Sequence, residues 1–163
     1  MPRLDPQALV RHLDTLHRAA WALCGSREDA EDLVQETYAR VLARPRVVRN
    51  GDDLGYLMRA LRNTFISRHR AAASRPRPAG IEPEALNLPD PRSGGADPAV
   101  AAQTREVFAA IAALPAPQRD ALVAIDVAGL SYREAAKALR VHEAAITSRL
   151  FRARNRIAKS LHP

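Results

Sequence analysis

LSYREAAKALRVHEAAITSRLFRARNRIAKSL, residues 130–161, holds two helical periods separated by a break. Ser131 followed three residues later by Glu134 is a capping box, in which two side chains satisfy amides left open at a helix start. Ala135 and Ala136 are small, as a close helix crossing demands. Leu139-Arg140-Val141 interrupts the period, after which Ile146, Leu150, Ala153, Ile157 and Leu161 return at helical spacing. A short capped helix, a turn and a longer helix make helix-turn-helix patterning.

At about 100° per residue, the face of the longer helix opposite its apolar stripe carries Ala144, Thr147, Ser148, Phe151, Arg152 and Asn155. Thr, Ser, Asn and Arg offer donors and acceptors to base edges, and Ala144 or Phe151 suits a thymine methyl. Arg149 and Arg156 flank this face on one side and Arg154 on the other, where phosphate walls would stand. The alternative is a solvated face of a structural helix. A Phe on the polar side, the capped helix before it and the excess of basic residues over 137–163 favour DNA. Arg140 departs from the motif: such turns favour Gly because they often need positive φ, and another residue costs on the order of 1 kcal/mol there.

Upstream, the segment from Gln118 to Val127 reads as a helix ended by Gly129. Val100, Val107, Phe108 and Ile111 suggest another that stops before Leu114-Pro115. Residues 71–98 are rich in Pro and Gly and show no period, the mark of an extended linker. Before it, Leu9, Leu13, Leu16, Ala20 and Leu23 form one stripe closed by Gly25. Ser26, with Asp29 three residues on, opens a helix whose apolar side is Ala30, Leu33, Tyr38, Val41 and Leu42, as far as Pro45. After a polar loop at 49–53, Leu54, Leu57, Leu61 and Phe65 face inward on a third helix. No segment alternates with period two, so the fold class is all-α: two small helical domains, at 1–72 and 99–163, joined by a linker at 73–98.

The chain has 163 residues, 47% hydrophobic and 26% charged, which excludes a large multi-domain enzyme. A formal charge of +7 and a pI near 10.6 point to polyanions, nucleic acid first. Both ends are positive and the middle is not: 12 basic and 9 acidic residues in 1–70, 3 and 4 in 71–100, 10 and 5 in 101–163. Residues 27–36 hold five acids, whereas 54–77 hold six arginines and no acid. An acidic face followed by a basic one suggests two different partners for one small domain.

Other chemistries find no footing. The lone Cys24 cannot form an intramolecular disulfide, and His12, His17, His69, His142 and His162 are scattered without metal-ligand spacing. With no Gly-rich phosphate loop or nucleophile motif, we assign no catalytic residue, metal or cofactor. Trp21 and Cys24 read as core rather than as stacking or redox groups. No apolar run approaches the roughly 18 residues of a membrane span, and Pro2, Arg3 and Asp5 do not begin a secretory signal. A cytoplasmic protein is expected.

These strings, in this order, resemble the extracytoplasmic-function sigma factors, the small class of bacterial RNA polymerase specificity subunits. The likeness is carried by DAEDLVQETYARVL at 29–42, YLMRALRNTFISRHR at 56–70, LPAPQRDALVAI at 114–125, GLSYREAAKAL at 129–139 and TSRLFRAR at 147–154. The resemblance implies a region 2 domain, a linker threading toward the RNA exit path and a region 4 domain. It implies docking on the core polymerase clamp through Asp32, Gln35 and Glu36, with Asp32 and Glu36 pointing to solvent in the free protein. It implies capture of the melted minus-ten element by a loop from about Val48 to Asp53 and the helix after it, through Asn50, Asp52, Tyr56, Arg59, Arg62 and Asn63, with a flipped base near Asn63. The minus-thirty-five element would be read by Ala144, Thr147, Ser148, Arg149, Phe151 and Arg152.

The implied partners are RNA polymerase core and promoter DNA, with an anti-sigma factor as a further partner that the resemblance allows. The protein would join the nucleoid when in holoenzyme. Tyr56 stands where the family commonly has Trp, Ser67 where Asp is frequent, and His142, Ala145 and Thr147 also depart from the usual recognition-helix pattern. The promoter sequence is therefore not readable from the chain. A stand-alone helix-turn-helix regulator is the alternative, but it gives no reason for the paired acidic and basic faces of the N-terminal half.

Overall fold

The computed structural model describes residues 4–44, 48, 51–74 and 97–162; among these, all regular structure is helical. α1 (Pro6–Arg11) begins under Asp5, whose carboxylate accepts from the Gln7 amide at 3.0 Å, with Pro6 in the first turn. α2 (Leu13–Cys24) follows directly, so the stripe expected as one helix from Leu9 to Leu23 is two, divided where His12 leaves helical geometry at φ −100° and ψ 5°. The Tyr38 hydroxyl donates to the Leu9 carbonyl at 2.6 Å and ties α1 to the third helix. Gly25 closes α2 at φ 77°. A Cβ there would also lie 3.1 Å from the Ala112 side chain, so glycine is required both by the turn and by the approach of another helix.

α3 (Arg27–Ala43) starts at Ser26, whose hydroxyl accepts from the Asp29 amide, and Glu28 and Asp29 complement its N-terminal dipole. Its inner side is Ala30, Leu33, Val34, Thr37 and Val41. Thr37 is tolerated inside because its hydroxyl donates back to the Leu33 carbonyl at 2.7 Å. Leu42, expected inside, is 56% exposed, because it stands about 100° around the helix from Val41. α4 (Asp53–Ser74) buries Leu57, Met58, Leu61 and Phe65. Most of the linker expected at 73–98 lies outside the described residues; α4 runs to Ser74 and α5 (Pro98–Ala112) begins at the Asp97 cap.

In α5, Val107, Phe108 and Ile111 pack inward, whereas Val100 is exposed. The single helix expected from Gln118 to Val127 is α6 (Ala116–Leu122) followed by a π-helical turn, Val123–Val127. The Ala128 amide reaches five residues back to the Val123 carbonyl at 2.8 Å. The C-terminal pair follows the sequence closely. α7 (Tyr132–Leu139) has its capping box, with Ser131 Oγ accepting from the Glu134 amide at 3.1 Å and Glu134 from the Ser131 amide at 3.4 Å. Arg140 adopts the left-handed conformation at φ 55° and ψ 47°. α8 (Glu143–Leu161) buries Ile146, Leu150 and Ala153.

The two helical units pack against each other. α2 meets α5 and the π-helical turn, and α4 meets α7. Leu16, Leu33, Leu57 and Leu61 of the first unit and Val123, Ile146 and Leu150 of the second belong to one continuous apolar core. Trp21 is half-buried at the seam, stacked on Phe108 with ring centroids 4.3 Å apart, and the Arg27 guanidinium lies 4.9 Å from its ring. Trp21 packs against the core as expected, and its ring partner comes from the other unit.

Candidate nucleic-acid interface

The first candidate surface is a cleft of about 230 Å³ between α3 and α4. It is lined by Arg40, Val41, Arg44, Tyr56, Arg59, Ala60, Asn63 and Thr64. Tyr56, Arg59 and Asn63 share this side of α4 because they are spaced by three or four residues. Three guanidinium groups, one carboxamide and one aromatic ring around an open cleft offer charge, hydrogen bonds and a stacking surface to a nucleotide. The Thr64 hydroxyl is already used, donating to the Ala60 carbonyl at 2.8 Å. Arg40 and Arg44 were missed in the sequence reading. Their spacing of four, on the side of α3 next to Val41, was the available signal, but the acids before them drew the reading toward a different partner.

Other residues assigned to the same surface lie elsewhere. Arg62 points away from the cleft, and its Nε donates to Asp120 Oδ2 at 2.8 Å. Asp52 Oδ2 accepts from Lys137 Nζ at 3.0 Å. Both partners belong to the C-terminal unit. Asn50 lies outside the described residues.

On α3, Asp32 and Gln35 are exposed. Glu36 is not simply open to solvent as expected: Arg40 Nη2 donates to it at 2.8 Å and Arg68 Nε stands 3.5 Å away. The helical repeat of four brings Arg40 over Glu36, and α4 brings Arg68 from the other side. The acidic surface therefore grades directly into the basic cleft.

The third surface is the outer face of α8. Ala144, Thr147, Ser148, Phe151, Arg152 and Asn155 are all exposed, and Phe151 is 67% exposed, far above what a buried-core role allows. The Thr147 hydroxyl donates to the Glu143 carbonyl at 3.2 Å. Arg149 is half-buried at the edge of this face. Arg154, read as a phosphate-facing flank, makes two hydrogen bonds to Asp126, at 2.9 and 2.7 Å. It braces α8 against the π-helical turn.

Two further groups fall outside these surfaces. Burial, with the Asp29 carboxylate adding to it, pushes the Cys24 thiol up to about 11, against the opposing pull of Arg68 and Arg119. Burial likewise raises the Tyr38 phenol to about 12. Both stay protonated near neutrality, and Cys24 is a poor nucleophile there. Among the described residues no cluster of His, Cys, Asp and Glu could hold a metal ion, and no helix is long and apolar enough to cross a membrane.

A helix-turn-helix unit joined to a helical unit with a basic cleft is the class of fold that suits a nucleic-acid-binding protein. Comparison with known proteins gives the class its name. Residues 9–75 match the Sigma-70 region 2 family and residues 104–157 match the Sigma-70, region 4 family. The chain is 33% identical over 163 residues to the ECF RNA polymerase sigma factor SigE of Mycolicibacterium smegmatis, covering 96% of this chain and 61% of that protein. It is 33% identical over 157 residues to the ECF RNA polymerase sigma factor EcfG of Rhodopseudomonas palustris, covering 94% of this chain and 83% of that protein. Among solved structures it is similar to a chain in the complex of the sigma factor RpoE with the anti-sigma factor NepR from Bartonella quintana. That match has 27% identity and a TM-score of 0.66, covering 95% of this chain and 94% of the other. This chain belongs to the extracytoplasmic-function family of RNA polymerase sigma factors.

Proposed function

We propose that the protein directs RNA polymerase core to specific promoters through three surfaces, without catalysis or cofactor of its own. Asp32, Gln35 and Glu36 on α3 dock on core polymerase. Tyr56, Arg59 and Asn63, joined by Arg40 and Arg44, take the unpaired strand of the minus-ten element; Arg62 and Asp52, held against the C-terminal unit in the free chain, and Asn50 are assigned to the same task. Ala144, Thr147, Ser148, Arg149, Phe151 and Arg152 read the minus-thirty-five element as duplex. We assign these tasks to a region 2 domain at 1–72 and a region 4 domain at 99–163, with 73–98 as the linker. The protein works in the cytoplasm, on the nucleoid when in holoenzyme, and an anti-sigma factor is a fitting further partner.

The observation that carries this reading is the cleft between α3 and α4. It sets Asn63 beside Tyr56 and three arginines, next to the acidic surface of α3. A stand-alone regulator would need α8 but not this pair of surfaces. Run-off transcription on a library of genomic fragments, with and without purified core polymerase, tests the proposal. Specific transcripts are expected only when both proteins are present, and the free protein should bind duplex weakly and with steep salt dependence. Tight sequence-specific binding by the free protein at physiological salt would overturn it.

A further inference from the structure

The C-terminal unit reaches across to α4 with a pair of adjacent residues. The Asp120 side chain is only 6% exposed, and both of its oxygens are engaged. Oδ2 accepts from Arg62 Nε at 2.8 Å, while Oδ1 accepts from Arg119 Nη2 at 3.1 Å and Nε at 3.2 Å. Arg119 in turn places its guanidinium 4.8 Å from the Phe65 ring centroid, three residues along α4 from Arg62. The Lys137–Asp52 pair makes a second, more exposed contact between the units. Two residues assigned to strand capture, Arg62 and Asp52, are therefore held by the other half of the same chain.

We infer that Asp120 is the latch of a self-masked state, in which the C-terminal unit offers Arg62 a carboxylate in place of a DNA phosphate. Closed packing and full strand capture then exclude each other. This inference rests on the reading of α4 as the strand-capturing helix.

An ion pair suits such a latch. Burying a carboxylate and a guanidinium costs hydration that their attraction only roughly repays, so this pair returns to water at little net cost when the seam opens, and what opposes opening is the apolar packing between the units. Removing only one partner while the seam stays closed is the costly alternative. A shallow recess of about 10 Å³ lies where Arg62 and Asp120 meet Leu23, Met58, Val123 and Ala138. By contrast, Tyr56 and Asn63 face the cleft and are not held by the other unit, so the mask covers one side of α4 and leaves the other ready.

The full-length Asp120→Asn variant tests the latch. Its closure is read by small-angle scattering and by the emission of Trp21, the single tryptophan of the chain, which stacks across the seam on Phe108. Strand capture is read by fluorescence anisotropy with a labelled single-stranded oligonucleotide of minus-ten type. Glu106→Gln, on an exposed position of α5, removes the same charge away from the seam and serves as control. If the latch holds about nine molecules in ten closed, apparent affinity rises about tenfold when it is removed. We expect Asp120→Asn to expand the particle, change Trp21 emission and tighten oligonucleotide binding by about that factor, with less than about a twofold change for the control.

Circular dichroism checks that helix content is kept. Should Asp120→Asn lose it, Lys137→Glu carries the test, because repulsion from Asp52 should open the same seam. Tighter binding there, despite the added negative charge, supports the mask. A variant that stays closed overturns the latch, as does one that opens with no gain in binding while wild type binds normally. Opening with no binding by any variant sinks the strand-capture reading itself, and the mask with it.

Discussion

The two regions proposed to meet DNA are prepared to different degrees. α8 presents a complete face: its six outward residues are exposed, and its supporting interactions, the apolar stripe and the Arg154–Asp126 bracket, all lie behind or beside that face. α4 divides its polar residues between a cleft shared with α3 and a seam shared with the C-terminal unit. A duplex reader can stay ready because a groove is met by one helix. A strand-capturing surface is built between helices, and whatever packs on those helices competes with it.

The largest effect is expected at a surface distinct from both. Charge reversal at Asp32 and Glu36 together should abolish association with core polymerase in a pull-down, if the acidic end of the cleft is the docking site. The Asp32 change alone should move stability within about 0.5 kcal/mol, since it is an exposed surface substitution. Normal holoenzyme formation by the double variant would remove the polymerase from the N-terminal side of the comparison.

The next test asks whether the two units are separable at all. Leu61→Ala in α4 and Leu150→Ala in α8 each truncate a fully buried side chain of the shared core and should each cost about 2–5 kcal/mol. Urea unfolding followed by Trp21 emission and by far-ultraviolet circular dichroism should show the truncated unit unfolding at lower urea than the other, because the open state of the latch requires each unit to stand by itself. One coincident transition for both variants would mean that the units do not come apart while folded and would count against the latch.

Asn63→Ala and Arg152→Ala sharpen the contrast between strand and duplex. Losing a good side-chain contact to a base costs roughly 1–3 kcal/mol, so Arg152→Ala should lower promoter affinity by about one to two decades and relax specificity at one upstream base pair. Asn63→Ala should leave duplex recruitment intact but impair open complexes, and it should remain defective on a pre-melted promoter. Permanganate footprinting and binding titrations on the two templates measure this. Equal effects at one promoter element would erase the distinction.

The smallest effect concerns the helix-turn-helix itself. Arg140→Gly relieves the left-handed backbone at φ 55°, but glycine gains more freedom in the unfolded chain, so a net stabilisation of at most about 1 kcal/mol is expected by denaturant titration. Destabilisation would show that the Arg140 side chain contributes more than the strain it imposes.

Much of the C-terminal half was legible because its signals are local. A capping box spans three residues, a left-handed turn is one residue, and the two faces of α8 follow from its periodicity, so the expected outer face is the one observed. The N-terminal helices were legible too, though less completely. The errors came where locality failed: the break at His12, the outward Leu42, and the π-helical turn that splits a single expected helix. Arg40 and Arg44 went unnoticed because a cleft wall is shared by two helices, and no period on one helix reports its partner.

By itself, then, the sequence determined an all-helical chain in two units, the helix-turn-helix with its exposed reading face, the acidic and basic segments, and the sigma-factor resemblance. Short-range backbone sterics, caps and helical repeats set the helical features within a few residues, and the resemblance rests on the order of motifs along the whole chain. Only the tertiary structure decided which arginines face the cleft, that Trp21 stacks on Phe108, and that Arg62 belongs to Asp120, 58 residues away. Those outcomes depend on how two surfaces of distant segments fit, and a charge on a helix carries no record of which surface will come to meet it.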